Sequence, residues 1–437
     1  MLGETSLSPM TPVLQVALDI IQGDRAIQIA KEAIAGGADW IEAGTPLIKS
    51  EGMEIIRTLK RECPGKTIVA DLKTMDVGAL EADMAARSGA DVVVIMGVSH
   101  DSTILEAVQA ASKYGSKVMV DLMATADPVR RCAEVAELGA SYACIHVAVD
   151  EQMIGGRHDD LKAIIGEMPL AIAVAGGITA ENAPDFVAAG AEIIIVGGAI
   201  SKSADVTAAT KSIKDAIIAG VPQDMHGFKR YSDDKLMEAF SKVSTPNIAD
   251  AQHRQGAMKG ILPRNSKKVK MIGRALTVQT SNGDWAKSVE AVDVAKAGDV
   301  IVIDVGSGQT AVWGELASWS AKLKGISGVV VDGAVRDIEE IDEMGFPCFS
   351  KYVSPDAGEP KGFGGIGTPI VCGGARVHTG DWIIGDSNGV VVVPANRAAE
   401  IANRALDVLE RENRIREEIK RGSTLSKVLE LEKWEKV

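Results

Sequence analysis

From Val13 onward the chain alternates two kinds of segment. Short apolar runs of the length of a buried strand are followed by longer stretches whose apolar positions recur every three or four residues, the period of an amphipathic helix. The apolar runs predict eight strands, at 13–18, 40–43, 67–72, 92–96, 117–122, 142–146, 171–175 and 193–196. Helical periodicity follows each, as in Asp24–Ala35, Gly78–Ser88 and Pro128–Leu138. Four helical stretches close on one punctuation: Gly37-Ala38-Asp39, Gly89-Ala90-Asp91, Gly139-Ala140-Ser141 and Gly190-Ala191-Glu192, spaced 52, 50 and 51 residues apart. Glycine suits the position just past a helix, where φ is positive, before the chain re-enters a sheet. Eight strand–helix units repeating in pairs predict an α/β fold of the (β/α)8 type, a TIM barrel over residues 1–218; a doubly wound open sheet is the alternative.

Past residue 218 the repeat stops. Residues 219–231, with Gly220, Pro222 and Gly227, break the helical pattern and read as a linker to a second α/β domain, 232–437. There, strand-like runs at Val300–Val305, Val329–Val331, Trp382–Ile384 and Val390–Val393 are interleaved with turns. Asp386-Ser387-Asn388-Gly389 between two apolar runs predicts a hairpin, and Ala398–Lys420 a charged amphipathic helix. Gly362-Phe363-Gly364-Gly365-Ile366-Gly367 spells a dinucleotide fingerprint. It has no strand in front and Thr368-Pro369 behind instead of a helix, so a flexible loop is expected.

Composition narrows the partners. With 437 residues, 46% of them hydrophobic, the chain can bury large cores; its net charge of −13 argues against nucleic acid or an anionic membrane as the main partner. No apolar run approaches the roughly 18 residues of a membrane span, and Met1–Met10 lacks the basic and apolar regions of a signal peptide. The five cysteines show neither CxxC nor zinc-type spacing and read as reduced, mostly buried thiols of a cytoplasmic protein.

Barrel active sites lie at the C-terminal strand ends. Those ends carry Asp19, Glu42, Asp71 with Lys73, Asp121, His146, and the glycine pairs Gly176-Gly177 and Gly197-Gly198. If the third strand reaches Leu72, Asp71 and Lys73 share a face. Glu42 and Asp71 are hard oxygen ligands suited to Mg2+, Lys73 could neutralise an enediolate oxygen, and His146 could move a proton. The glycine pairs suit a phosphate cradle. Plain alternatives are an Asp71–Lys73 ion pair, a core histidine and tight βα turns. His100 and His158, in expected loops, receive no role.

Gln15-Val16-Ala17-Leu18-Asp19, Ile41-Glu42-Ala43-Gly44-Thr45-Pro46, Asp71-x-Lys73-x-x-Asp76, Ile145-His146-x-x-x-Asp150 and Val196-Gly197-Gly198-Ala199-Ile200 resemble the 3-hexulose-6-phosphate synthases of the orotidine-5′-phosphate decarboxylase suprafamily. The related 3-keto-L-gulonate-6-phosphate decarboxylases usually carry an arginine motif after the histidine and arginine where Ala199 stands. The resemblance implies a carbon–carbon lyase that reversibly condenses D-ribulose 5-phosphate with formaldehyde to D-arabino-hex-3-ulose 6-phosphate, with Mg2+ (or Mn2+). It implies Glu42 and Asp71 at the metal, Lys73 at the enediolate, His146 as acid/base, and Asp19 and Asp121 on substrate hydroxyls. Asp76 would complete the neighbouring subunit's site in a dimer. A decarboxylating barrel is the alternative.

In the second half, Trp313-Gly314-Glu315-Leu316-Ala317 and Asp332-Gly333-Ala334-Val335-Arg336-Asp337, with Glu340, resemble the RraA-like fold shared by class II pyruvate aldolases and ribonuclease regulators. Arg336 would bind a 2-oxo-acid carboxylate, Asp337 a divalent metal, and backbone N–H groups at Gly314, Glu315 and Leu316 would complete the anion site. Aldolases commonly have aspartate, and regulators glycine, where this chain has Glu315, so a non-catalytic binding module is the alternative. Barrel dimers and the three-fold rings of the second family together suggest a homo-oligomer of up to six subunits.

Overall fold

The computed structural model describes residues 11–153, 158–223, 230–429 and 431. Met1–Met10, read above as lacking signal-peptide features, and the linker positions 224–229 lie outside the described residues. The chain forms two compact units, Met1–Lys229 with Glu410–Val437, and Arg230–Leu409. The chain from Glu410 therefore groups with the first unit, although the sequence pattern assigns it to the second half.

In the first unit, eight parallel strands close a barrel: β1 (Val13–Leu18), β2 (Trp40–Ala43), β3 (Thr67–Thr74), β4 (Val92–Met96), β5 (Lys117–Asp121), β6 (Tyr142–His146), β7 (Ala171–Ala175) and β8 (Ile193–Val196), with β8 pairing back to β1. The open sheet is excluded. Gly37, Gly89, Gly139 and Gly190 have φ of 102°, 102°, 93° and 107°, as the punctuation requires.

Side-chain alternation divides each strand. Leu14, Val16, Ile41, Ile68, Val93 and Val120 face the helices, where they are buried against Ile29, Ile56 and Ile104. Ala17, Val69, Val94, Met119, Cys144, Ala173 and Ile195 fill the barrel interior. The interior-facing parity, carried one step up each strand, arrives at Asp19, Glu42, Asp71, Asp121 and His146. β3 departs from simple alternation: a register shift follows Asp71, and Lys73 sits at φ 49°. The strand thus runs two residues past the expected end, and a bulge rather than strand parity aims Lys73. His158, expected in a loop, opens helix His158–Ile165.

The second unit is an α/β domain on a mixed sheet. Met271–Gln279, Asp299–Ala311, Gly328–Val335 and Cys348–Val353 run parallel, while Trp382–Asp386 and Gly389–Val393 form an antiparallel hairpin beside them. Helices Ala286–Val294, Glu315–Leu323 and Ile338–Glu343 pack on one face through Ala291, Ala321 and Ile341. On the opposite face Val300, Val302, Val330 and Phe349 are buried with Ile370 and Val377 of a small two-stranded sheet. The strand Met271–Gln279 escapes a hydropathy reading because Arg274 interrupts it. That guanidinium lies 4.3 Å over the Trp382 ring and donates to the Gly380 carbonyl, so its charge costs the strand little. All five cysteines are free and buried. Among the described residues no helix is long and apolar enough to cross a membrane.

Candidate active site

Six ionisable side chains from five strand ends meet at the C-terminal mouth of the barrel. His146 Nδ1 lies 2.8 Å from Asp121 Oδ2, and since a carboxylate only accepts, that nitrogen carries the proton. In the neutral ring this tautomer places the lone pair on Nε2. The other Asp121 oxygen accepts the Met123 N–H at 2.9 Å, which fixes the carboxylate plane. Lys73 Nζ donates to Asp71 Oδ2 at 2.7 Å and lies 3.4 Å from Asp121 Oδ2, tying the third strand to the fifth and sixth. The positive φ of Lys73 is the local strain that lets its stem fold back over Asp71.

Glu42 and Asp71 stand beside this chain, 6% and 5% exposed. Gln15 Nε2 donates to Glu42 Oε2 at 2.5 Å, and the Thr45 hydroxyl holds the Asp71 carbonyl at 2.8 Å. Asp71 Oδ1 and Gln15 Oε1 are buried acceptors without a protein hydrogen-bond partner. Asp19 stands at the rim, the residue exposed on one side while protein atoms crowd and desolvate its carboxyl group on the other, and only glycine fits at position 44, where a Cβ would lie 2.2 Å from Asp19 Oδ1.

The charges do not balance: Asp19, Glu42, Asp71 and Asp121 face Lys73 and His146. Burial and then the Asp71 carboxylate push Glu42 well above the usual carboxylate range, and the same two causes raise Asp19. Burial opposes the Lys73 charge, but Asp71 and Asp121 outweigh it and raise its pKa. Burial likewise works against ionised Asp121, yet the bond to His146 and the Lys73 charge hold its carboxyl below the ordinary range. Excess buried negative charge, with one orphan carboxylate oxygen, is an environment that a divalent cation relieves.

The glycine turns complete the mouth. Gly176 has φ 95°, and a Cβ there would come within 2.2 Å of the Val147 carbonyl; Gly177 has φ 65°. Gly197 caps helix Gly198–Ser201, and a Cβ built on it would lie 3.3 Å from Asp19 Oδ2. Asp76 stands apart: exposed on the following loop, it accepts the N–H of Val77. Gln15, a lone polar residue inside the first apolar run, is the participant that hydropathy alone passes over, although its place in that run was a usable signal.

In the second unit Arg336 and Asp337 stand side by side just after strand Gly328–Val335, Nε to Oδ2 at 3.4 Å, with Asp337 at φ 55° capping helix Ile338–Glu343. The Glu315 N–H donates to Asp337 Oδ2 at 3.1 Å. That corrects one expectation: this backbone donor serves the aspartate and is not free for a ligand anion. Leu316 is exposed and Gly314 caps helix Glu315–Leu323. The glycine run 362–367 is no flexible loop. The Asp284 carboxylate, buried, accepts the N–H groups of Lys361, Gly362 and Phe363, and Gly365–Ile366 pairs with Met271–Gln279.

A closed barrel with acid, base and ammonium converging at its C-terminal mouth defines an enzyme domain. The chain belongs to the orotidine 5′-phosphate decarboxylase / HUMPS family, whose model matches residues 12–213. The Aldolase/RraA model, RraA-like, matches residues 245–392. A 3-hexulose-6-phosphate synthase of Mycobacterium gastri is 42% identical over 207 residues, 47% of this chain and 99% of its own. Another, of Methylomonas aminofaciens, is 38% identical over 201 residues, 46% of this chain and 96% of its own. The solved structure of the RNA-processing inhibitor RraA from Thermus thermophilis is 27% identical, with a TM-score of 0.32, and covers 35% of this chain and 92% of its own.

Proposed function

We propose that the barrel is a 3-hexulose-6-phosphate synthase, joining D-ribulose 5-phosphate and formaldehyde reversibly into D-arabino-hex-3-ulose 6-phosphate. The observation that carries this reading is the hydrogen-bonded chain Lys73–Asp121–His146 beside the Glu42–Asp71 carboxylates. His146 Nε2 takes a proton from C1 of ribulose 5-phosphate, and Asp121 stabilises the imidazolium through Nδ1. The electron pair of the broken C–H bond moves toward the C2 oxygen, forming an enediolate beside the Lys73 ammonium. C1 then attacks the formaldehyde carbon, the formaldehyde oxygen takes up a proton, and C2 becomes the C3 ketone of the product. The glycine turns after β7 and β8 offer backbone N–H groups to the phosphate, and Asp19 orients a substrate hydroxyl.

Among the described residues no three His, Cys, Asp or Glu side chains are grouped to hold a metal by themselves. Two carboxylates with substrate oxygens are the usual holding of Mg2+, and Glu42 with the orphan Asp71 Oδ1 fits it. Mg2+ or Mn2+ bound there would supply positive charge to the substrate's C1 and C2 oxygens. Asp76, between exposed Met75 and Val77 and near exposed Leu80 and Met84, supports a dimer in which it serves the partner's site. Five buried, free thiols support a cytoplasmic setting. Incubating the chain with ribulose 5-phosphate, formaldehyde and Mg2+ should yield the hexulose phosphate. Release of CO2 from 3-keto-L-gulonate 6-phosphate instead would establish the decarboxylase.

For the second unit we propose 2-oxo-acid aldol or decarboxylation chemistry, with Arg336 on the carboxylate and Asp337 toward a divalent metal. Exchange of pyruvate methyl protons with Mg2+ tests it, since exchange needs only enolate formation. No exchange would leave the unit a binding module, and exchange unaffected by Arg336→Lys would take the carboxylate-binding role away from Arg336.

A further inference from the structure

The chain from Glu410 belongs to the barrel's compact unit and lies beyond the span 12–213 that the family model covers. Among the described residues, one polar cluster joining it to the barrel centres on an arginine. Arg414 Nη1 donates to the Ser201 carbonyl at 2.7 Å, and its Nε lies 3.3 Å from Glu418 Oε1. The same Glu418 oxygen meets Arg25 Nε at 3.1 Å. The Arg25, Arg414 and Glu418 side chains are 13%, 14% and 22% exposed, so solvent screens this triad little.

The two barrel positions it reaches are neighbours across the closing seam. Arg25 lies in helix Gly23–Ala35, which follows β1; Ser201 ends helix Gly198–Ser201, which follows β8; and β1 pairs with β8. The mouth side of the same seam carries Asp19 against Gly197. Helix Gly198–Ser201 has four residues, too few for cooperative helix formation, and its turn is closed by Ser201 N–H to Gly197 and Lys202 N–H to Gly198. A guanidinium on its last carbonyl supplies a donor that such a helix lacks and sets a cation at its negative end.

We propose that Arg414, oriented by Glu418 and through it anchored to Arg25, is a positioning residue for the synthase site. It staples the first and last βα units and holds the Gly197–Gly198 turn in the geometry that grips the substrate phosphate. This rests on the reading that the turn binds phosphate. The synthase relatives are matched over 99% and 96% of their own length by 47% and 46% of this chain, which leaves almost none of their length to supply a counterpart of such a segment. In this chain the remote end has taken on the task.

The test uses the full chain and its Arg414→Ala, Arg414→Lys and Glu418→Gln variants, their folding checked by circular dichroism. Initial rates against ribulose 5-phosphate at saturating formaldehyde give KM and kcat, and inorganic phosphate gives an inhibition constant. Losing one charge-assisted hydrogen bond behind the turn should raise KM roughly 3- to 10-fold in Arg414→Ala, with the phosphate constant rising in parallel and kcat within about twofold. Arg414→Lys should recover part of this, since an ammonium reaches one acceptor but lacks the planar fork. A folded Arg414→Ala chain with unchanged KM and phosphate constant, or with lowered kcat alone, overturns the proposal. Should Arg414→Ala fail to fold, Glu418→Gln decides by the same criteria. If the wild-type chain does not consume ribulose 5-phosphate and formaldehyde, the synthase reading fails. Calorimetric binding of inorganic phosphate to wild type and variant then decides the staple by itself: weaker binding in the variant supports it, equal binding overturns it.

Discussion

Asp121→Asn perturbs the proton path at one atom. The Met123 N–H, 2.9 Å from Asp121 Oδ1, requires an acceptor, so the asparagine carbonyl oxygen takes that place. The amide NH2 then falls where Oδ2 faced His146 Nδ1 at 2.8 Å. It can only donate, which obliges Nδ1 to accept and moves the imidazole proton to Nε2. The nitrogen that should take the C1 proton is now occupied, and the buried imidazolium has lost its counter-charge. The loss should approach the whole contribution of a general base, about 100- to 10,000-fold, or ~3–5 kcal/mol in the barrier. Deuterium uptake at C1 of ribulose 5-phosphate without formaldehyde, followed by proton NMR, isolates this step from carbon–carbon bond formation. Asp121→Ala, which leaves the tautomer unforced, should exchange faster than Asp121→Asn. Exchange in Asp121→Asn within about threefold of wild type would refute the role of His146 and shift the base to another group, Lys73 first.

Asp71→Ala removes the orphan oxygen and the close partner of Lys73, and should cost on the order of 3 kcal/mol or more in the synthase barrier; near-native turnover at saturating substrate would discard the assignment. Asp284→Asn turns an amide toward backbone donors of the 361–363 loop and should destabilise the second unit by about 2–4 kcal/mol at pH 7, measured by urea denaturation. Burial opposes the Asp284 charge, but those N–H groups hold its pKa below the ordinary value. Its stabilisation is therefore complete above the unfolded carboxyl pKa of about 4 and lost as pH falls through the lower folded value, so the deficit of the variant should shrink in strong acid. Leu80→Asp, an exposed position near Asp76, should halve the mass measured by light scattering if the barrels pair, and an unchanged mass would exclude that face.

Much of this protein is local and therefore legible in its sequence. The eight strands and the four glycine punctuations follow from side-chain periodicity and from the positive φ that glycine tolerates, both properties of a few consecutive residues. Interior parity carried Glu42, Asp71, Asp121 and His146 to the same mouth, because alternation in a closed barrel leaves no other inward direction. What needed the folded chain was every relation between segments far apart. The bulge that turns Lys73 onto both Asp71 and Asp121 has no local signal, because it is stabilised by the two carboxylates it serves. Gln15 became a partner of Glu42 only when β1 lay beside β2. Asp284, 77 residues before Lys361, converts a glycine-rich run from an apparent flexible loop into an anchored one. The grouping of Glu410 onward with the barrel was likewise beyond periodicity, since an amphipathic pattern says that a helix has a face to bury but not which surface receives it.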